Sequence, residues 1–289
     1  MSSADLASPP LSTVRPRYRG AFWRLYATEL TLIVRRRRNL ALLCVLSVVP
    51  LVIGIAVFLS TPRGGEGPAF LGQITGNGLF LVFTSLTVSL PVFLPLVVGV
   101  VAGDSIAGEA GAGTLRYLLT VPVTRGRVVA AKSLAVATFT GLAVLVAAVV
   151  GLVAGAFLFG LGDVTLLSGD TVSLGNGLLR ALGVAAFVTV ALLGLAAGGV
   201  FISTLTENAI AAMATTLGLV VLSALLDAVP QLSAIHPYLL THNWLGFGEL
   251  LHSNVDYSAL LRWSGLHAAY AAIFLSLAYS RMTTKDVTS

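Results

Sequence analysis

DSIAGEAGAGTLRYLLTVPVTRGRVVAAK, residues 104–132, sets charges, glycines and a proline between two long runs of almost pure hydrocarbon. Each flanking run is long enough to cross a bilayer, so the segment reads as a loop joining two membrane-spanning helices. The rest of the chain agrees: 56% of its residues are hydrophobic, only 10% are charged and its mean hydropathy is +0.94, far from a soluble globular domain. A span needs about 20 residues to cross roughly 30 Å of hydrocarbon. The 289 residues therefore hold about six such helices and little else. The expected fold is an all-α polytopic membrane protein with one transmembrane domain.

Outward from residues 104–132, apolar runs fall at roughly 40–59, 79–102, 128–160, 177–203, 208–227 and 258–280. An even count puts both termini on one side. Arg15, Arg17, Arg19, Arg24 and Arg35 to Arg38 precede the first run; Arg116, Arg125, Arg127 and Lys132 lie between the second and third; Arg281 and Lys285 follow the sixth. These are 14 of the 17 basic residues, against Arg63, Arg180 and Arg262 on the other side. The positive-inside rule makes the richer side cytoplasmic, so both termini are expected in the cytoplasm of a multi-pass protein of a prokaryotic plasma (inner) membrane. The opposite loops carry Glu66, Asp163, Asp170, Asp227, Glu249 and Asp256. The net charge of +5 is then a topology signal, with no nucleic-acid partner implied.

Residues 1–39 are polar and arginine-rich, with no short apolar core and cleavage site, so no signal peptide is expected. Within them, Tyr18 to Arg38 interleaves Phe22, Trp23, Leu25, Tyr26, Leu30, Leu32 and Ile33 with charges. That pattern predicts a helix on the cytoplasmic membrane surface, its aromatics in the interface and its arginines against lipid head groups; a topology anchor behind a tail explains the arginines equally. The Arg35–Arg38 run by itself is read as a stop signal. The domain plan is a tail and interfacial helix at 1–39, a six-helix domain at 40–280 and a tail at 281–289. The lone cysteine, Cys44, sits in the first run and excludes an internal disulfide or a cysteine metal cluster.

Gly151–Gly155 and Gly194–Gly198 are G-x-x-x-G pairs that let helix backbones approach closely. Pro50 in span one, and Pro91 with Pro95 in span two, should bend those helices. Thr84, Ser85, Thr87, Ser89, Thr215, Thr216 and His267 lie at membrane depth and are the candidate translocation path. Each hydroxyl has an ordinary alternative in a bond to a carbonyl one turn back, and His267 in a bond to a neighbouring helix. No ionisable side chain sits clearly mid-span, which argues against a proton relay or a charge-selective channel. Residues 228–257 are too polar to span and too apolar for a solvated loop, and predict short outer helices that re-enter or lie on the surface. His236, His242 and His252 within them match no compact metal motif, so no metal ligand is assigned.

The opening segment has its own plan. A helix can end near Gly111 and Gly113, a short one can start with Thr114 as cap, and Pro122 would stop it before span three. The short helix would carry Leu115, Leu118 and Leu119 on the cytoplasmic face. In order and spacing, Glu109, Gly113, Thr114, Leu115, Pro122, Thr124, Arg125 and Lys132 resemble the signature of the ABC-2 type permeases, the membrane subunits of type V-like ABC exporters. The tail from Tyr279 to Val287 looks like that family's usual end. Ala110 departs from the pattern, which commonly has a basic residue there, and an ion pair at that position is not expected.

The resemblance implies that residues 104–127 form a coupling segment docking into a separate ATP-hydrolysing subunit, with Leu115, Leu118 and Leu119 as buried contact, Arg116, Arg125 and Arg127 as rim charges, and Glu109 and Lys132 as local locks. No G-x-x-x-x-G-K-[ST] motif occurs in this chain, so no cofactor is expected on it, and ATP with Mg belongs on the partner ATPase. The resemblance further implies a second permease subunit, identical or related. The expected function is a non-catalytic permease exporting a small molecule, drug or lipid-like substrate, surrounded by membrane lipid. A stand-alone secondary transporter or channel is the alternative, and should show inverted repeats or broken helices with midplane ligands. An intramembrane enzyme would need a reactive pair at depth that the sequence does not supply.

Overall fold

A computed structural model describes residues 20–60, 76–113 and 124–284. The expected short helix with Thr114, Leu115, Arg116, Leu118, Leu119 and Pro122, the arginines before residue 20, Arg63, Glu66 and the tail from Lys285 lie outside the described residues. In order come α1 (Ala21–Arg35), α2 (Arg37–Ser60), α3 (Phe80–Ser89), α4 (Phe93–Gly111), α5 (Arg125–Phe159), β1 (Val164–Thr165), β2 (Thr171–Val172), α6 (Leu174–Leu205), α7 (Ala209–Asp227), three 3-10 segments (Pro230–Leu232, His236–Tyr238, Trp244–Leu251) and α8 (Tyr257–Thr284). Among the described residues six helices, α2 and α4 to α8, are long and apolar enough to cross a membrane. The protein is an all-α polytopic membrane protein, whose one sheet among the described residues is a two-residue antiparallel pairing of β1 with β2.

The second apolar run is split. Pro91 has no N–H for a ladder and a fixed φ, and the chain turns at Leu90–Val92, with Val92 at φ −132°, ψ −58°. Pro95 does not break α4, because it sits in the first turn, where the missing N–H would have had no partner anyway. α2 likewise runs without interruption through the buried Pro50. α4 then continues past the apolar run at 79–102 to Gly111, near the glycines where the sequence lets it end, so Asp104 and Glu109 are helical. With α5 already helical at Arg125, only residues 112–124 of the predicted coupling segment remain between helices.

α6 is the central helix, with 67% of its most apolar stretch buried, and it packs against α4, α5, α7 and α8. α5 has 35 residues, about 52 Å at 1.5 Å each, and exceeds a hydrocarbon core of roughly 30 Å. Its surplus carries α1, which packs on it, so α1 is a docked element. The small-residue pairs work as packing notches. A Cβ on Gly155 would stand 2.0 Å from the Gly78 carbonyl oxygen and one on Gly78 would stand 2.1 Å from that of Gly155, so two backbones meet where α3 approaches α5. Gly194 and Gly198 of α6 face Tyr270 and Phe274 of α8.

At the end away from α1, the predicted outer helices are 3-10 segments: Trp244–Leu251 rests on α6 and α8 with Trp244, Phe247 and Leu251 buried, and Pro230–Leu232 rests on α7. Arg180 of α6 fastens them by donating to the carbonyls of Leu250 and His252, and Tyr270 of α8 donates to that of Tyr238.

Candidate functional site

Where α1, α2, α4 and α5 converge, six charged side chains form two ion-pair groups. Lys132, in the second turn of α5 and 2% exposed, puts Nζ 2.9 Å from Glu29 Oε2 on α1 and 2.6 Å from Glu109 Oε1 on α4. One turn earlier on α4, Asp104 is 6% exposed and pairs with Arg36 at the α1–α2 elbow and with Arg38 on α2, Nη2 at 2.9 Å. Three cations face three carboxylates. Each buried charge therefore has a partner, which offsets the several kcal/mol that desolvation costs an isolated one.

The backbone is shaped to admit the cluster. Gly108 lies one turn beyond Asp104, and a Cβ there would stand 2.5 Å from the Asp104 carboxylate, so a larger residue would have to displace that carboxylate from its present position between two arginines. Arg36 interrupts the helix between α1 and α2 at ψ 122°, and Asn39 Nδ2 donates to the Ile33 carbonyl (2.8 Å) across the elbow. On the other side of α4, the Ser203 hydroxyl of α6 donates to the Gly103 carbonyl (2.7 Å) and lies within hydrogen-bonding distance of the Ile106 and Ala107 amides. A cavity of about 560 Å³ opens beside the cluster, lined by Glu29, Arg36, Asp104, Glu109 and Lys132. These links join α1, α2, α4, α5 and α6 at the two ends of residues 112–124.

Of the predicted coupling residues, Glu109 and Lys132 meet in this cluster, Gly113 ends the described part of this stretch at φ 69°, and Arg125 and Arg127 open α5, Arg125 donating to the Met282 carbonyl of α8 at 3.3 Å. Two readings are corrected. Arg36 and Arg38 do more than stop a translocating chain, because they neutralise Asp104. The helix at 21–35, expected to rest on the membrane surface through its aromatics and arginines, is held to α5 by a buried carboxylate. Sequence reasoning passed over Glu29, although it is the one acidic residue between Asp5 and Glu66, amid arginines. An isolated acid in a basic segment was the available signal.

The predicted path residues are spread through the bundle. Thr84, Ser85, Thr87 and Thr216 each donate to the carbonyl one turn back, at Phe80, Leu81, Phe83 and Ala212. Ser85 is buried where α3 meets α5 and Thr216 between α4, α6 and α7, whereas Thr87 and Thr215 are exposed. The Ser89 hydroxyl and both ring nitrogens of His267 are buried without a hydrogen-bond partner among the described residues. His267 thus departs from the expected interhelical donor. At the other end, His242 Nδ1 is 2.6 Å from Asp227 Oδ1, and His236 stands near the same carboxylate. Among the described residues no group of three His, Cys, Asp or Glu could hold a metal ion.

Comparison with known families matches residues 33–223 to the family described as "ABC-2 family transporter protein". The chain belongs to the ABC-2 family of transporter proteins. It is similar to proteins named "Probable ABC transporter permease protein NosY" from Pseudomonas aeruginosa and from Stutzerimonas stutzeri, at 32% identity over 124 residues in each case. Those stretches are 43% of this chain, and 42% and 41% of the two relatives, so the chain covers under half the length of the relatives it matches. Within this ABC-2 permease, Arg36, Arg38, Asp104, Glu109 and Lys132 fall inside the family match, whereas Glu29 and all of α8 with His267 fall outside it.

Proposed function

We propose that this ABC-2 permease is the membrane subunit of an exporter powered by a separate ATP-hydrolysing subunit, and that residues 112–124 receive the force. The observation that carries the reading is the ion-pair cluster at the two ends of that segment. A push on the segment reaches α4 through Glu109 and α5 through Lys132, and Glu29 passes it to α1. Because paired buried charges resist separation, these helices move together instead of yielding one by one. Leu115, Leu118 and Leu119 supply the apolar contact with the ATPase, Arg116, Arg125 and Arg127 its charged rim, and ATP with Mg sits on that partner.

In the same reading two permease subunits face each other, and the exposed Thr87 of α3 and Thr215 of α7 contribute to a mildly polar, uncharged path between them. Such a path suits a small molecule, drug or lipid-like cargo. Both termini face the cytoplasm of a prokaryotic inner membrane. The permease names of the two relatives support the transport assignment. The test is Leu118→Asp: insertion is retained, while capture of the ATPase subunit and membrane-stimulated ATP hydrolysis are lost. A variant that still co-purifies with the ATPase and turns over ATP at the normal rate defeats the coupling assignment.

A further inference from the structure

Two cavities adjoin between the starts of α1 and α5 and the end of α8. One is an apolar groove of about 620 Å³, walled by Phe22 of α1, Leu134 of α5 and Leu275 of α8. The other, of about 540 Å³, is lined by Thr124, Arg125, Arg127 and Thr283. Gly126, Ala130 and Tyr279 line both, so the two are continuous. Gly126 keeps that junction narrow, since a Cβ there would stand 2.3 Å from the Tyr279 ring.

Polarity falls in the same direction along both walls. On α5 Arg125 and Arg127 give way to Val129, Ala130, Leu134 and Ala137 with Ser133 among them; on α8 Thr283 and Tyr279 give way to Ser276 and Leu275. The Ser133 hydroxyl is shielded from solvent without a partner among the described residues and lies about 9 Å along the helix axis from Arg127, at 1.5 Å per residue. No carboxylate among the described residues lines either cavity, and Arg127 is exposed with no acidic partner among them.

We infer that this continuous cleft binds one anionic phospholipid, its phosphate between Arg125 and Arg127, its ester region beside Ser133 and an acyl chain along Leu134 and Leu275. Charge complementarity selects the occupant, because Arg127 has no acidic partner among the described residues, none of which brings a carboxylate to the cleft, and the adjoining groove of mainly apolar side chains suits hydrocarbon. The inference takes its orientation from the proposed function, which puts this end in the inner leaflet, and it reassigns Arg125 and Arg127 from the ATPase rim given there to the lipid phosphate. Lipid binding is read without ATP, so it fails or survives separately from ATPase coupling.

The test is native mass spectrometry of the full chain in detergent with dioleoyl-phosphatidylglycerol or dioleoyl-phosphatidylcholine. The expected result is a preference of about tenfold or more for the glycerol lipid, falling to within about twofold in Arg125→Gln/Arg127→Gln and retained in Arg127→Lys. Leu275→Trp, which fills the groove, should lower retention of both lipids. No preference in the parent chain, or a preference unchanged by the double substitution, overturns the site. Displacement of the glycerol lipid by millimolar inorganic phosphate, with Leu275→Trp silent, overturns it as well, since the cleft would then be an anion site without a chain.

Discussion

Lys132 is one buried ammonium shared by two carboxylates from different helices. Lys132→Met leaves the buried Glu29 without its ammonium partner and is expected to destabilise the protein by about 3–5 kcal/mol, read as a lower unfolding temperature in detergent. Adding Glu29→Gln to Lys132→Met should recover most of that loss, because the buried carboxylate left without its ammonium is then neutral. At the opposite end, Asp256 accepts from the Ser258 hydroxyl and from the Ser258 and Ala259 amides, ahead of the first turn of α8. Those bonds, led by the Ser258 hydroxyl, hold its carboxyl below the ordinary value. A lowered folded-state pKa means the cap stabilises above the unfolded value and is lost as pH falls through the folded one. Asp256→Ala should therefore speed hydrogen exchange at the Ser258 and Ala259 amides at neutral pH, with parent and variant converging in acid. Lys132 and Glu109 both stood in the pattern that carries the family resemblance, and they pair. Glu29 was not legible there, because its pairing joins residues 103 apart and exists only once α1 docks on α5.

Among the elements, glycine contacts decide how closely helices approach. Gly155→Ala drives a methyl into the Gly78 carbonyl and should cost at least about 1–3 kcal/mol, since backbone cannot swing aside as a side chain does. Gly218 on α7 is the contrast, because a Cβ added there would meet nothing within 4 Å. Gly218→Ala should be neutral or stabilise by about 0.5–1 kcal/mol. Paired thermal unfolding curves check both. The G-x-x-x-G spacing announced close packing but not its partners, which are α3 and the residues just before it for Gly151 and Gly155, and α8 for Gly194 and Gly198. Pro91 and Pro95 look alike in sequence, yet one separates two helices and the other sits harmlessly in a first turn.

For the whole molecule, the expected orientation follows from where the arginines lie, and chemical labelling tests it. In a Cys44→Ser background, a Ser253→Cys substitution beside the outer 3-10 segments should react with a membrane-impermeant maleimide on intact cells. Thr284→Cys at the end of α8 should react only after permeabilisation. The reverse pattern would invert the protein, and with it the side on which an ATPase docks.

Six spans, their order and the basic side of the bundle were determined by the sequence alone, because hydrocarbon length and charge asymmetry are local, additive properties read directly from composition. Which charges neutralise one another, that α1 docks on α5, and that a cationic cleft opens onto an apolar groove were decided only by the tertiary structure. The physical reason is that each depends on side chains from helices distant in the chain meeting in a low-dielectric interior, where pairing sets the energy and sequence spacing carries no record of it.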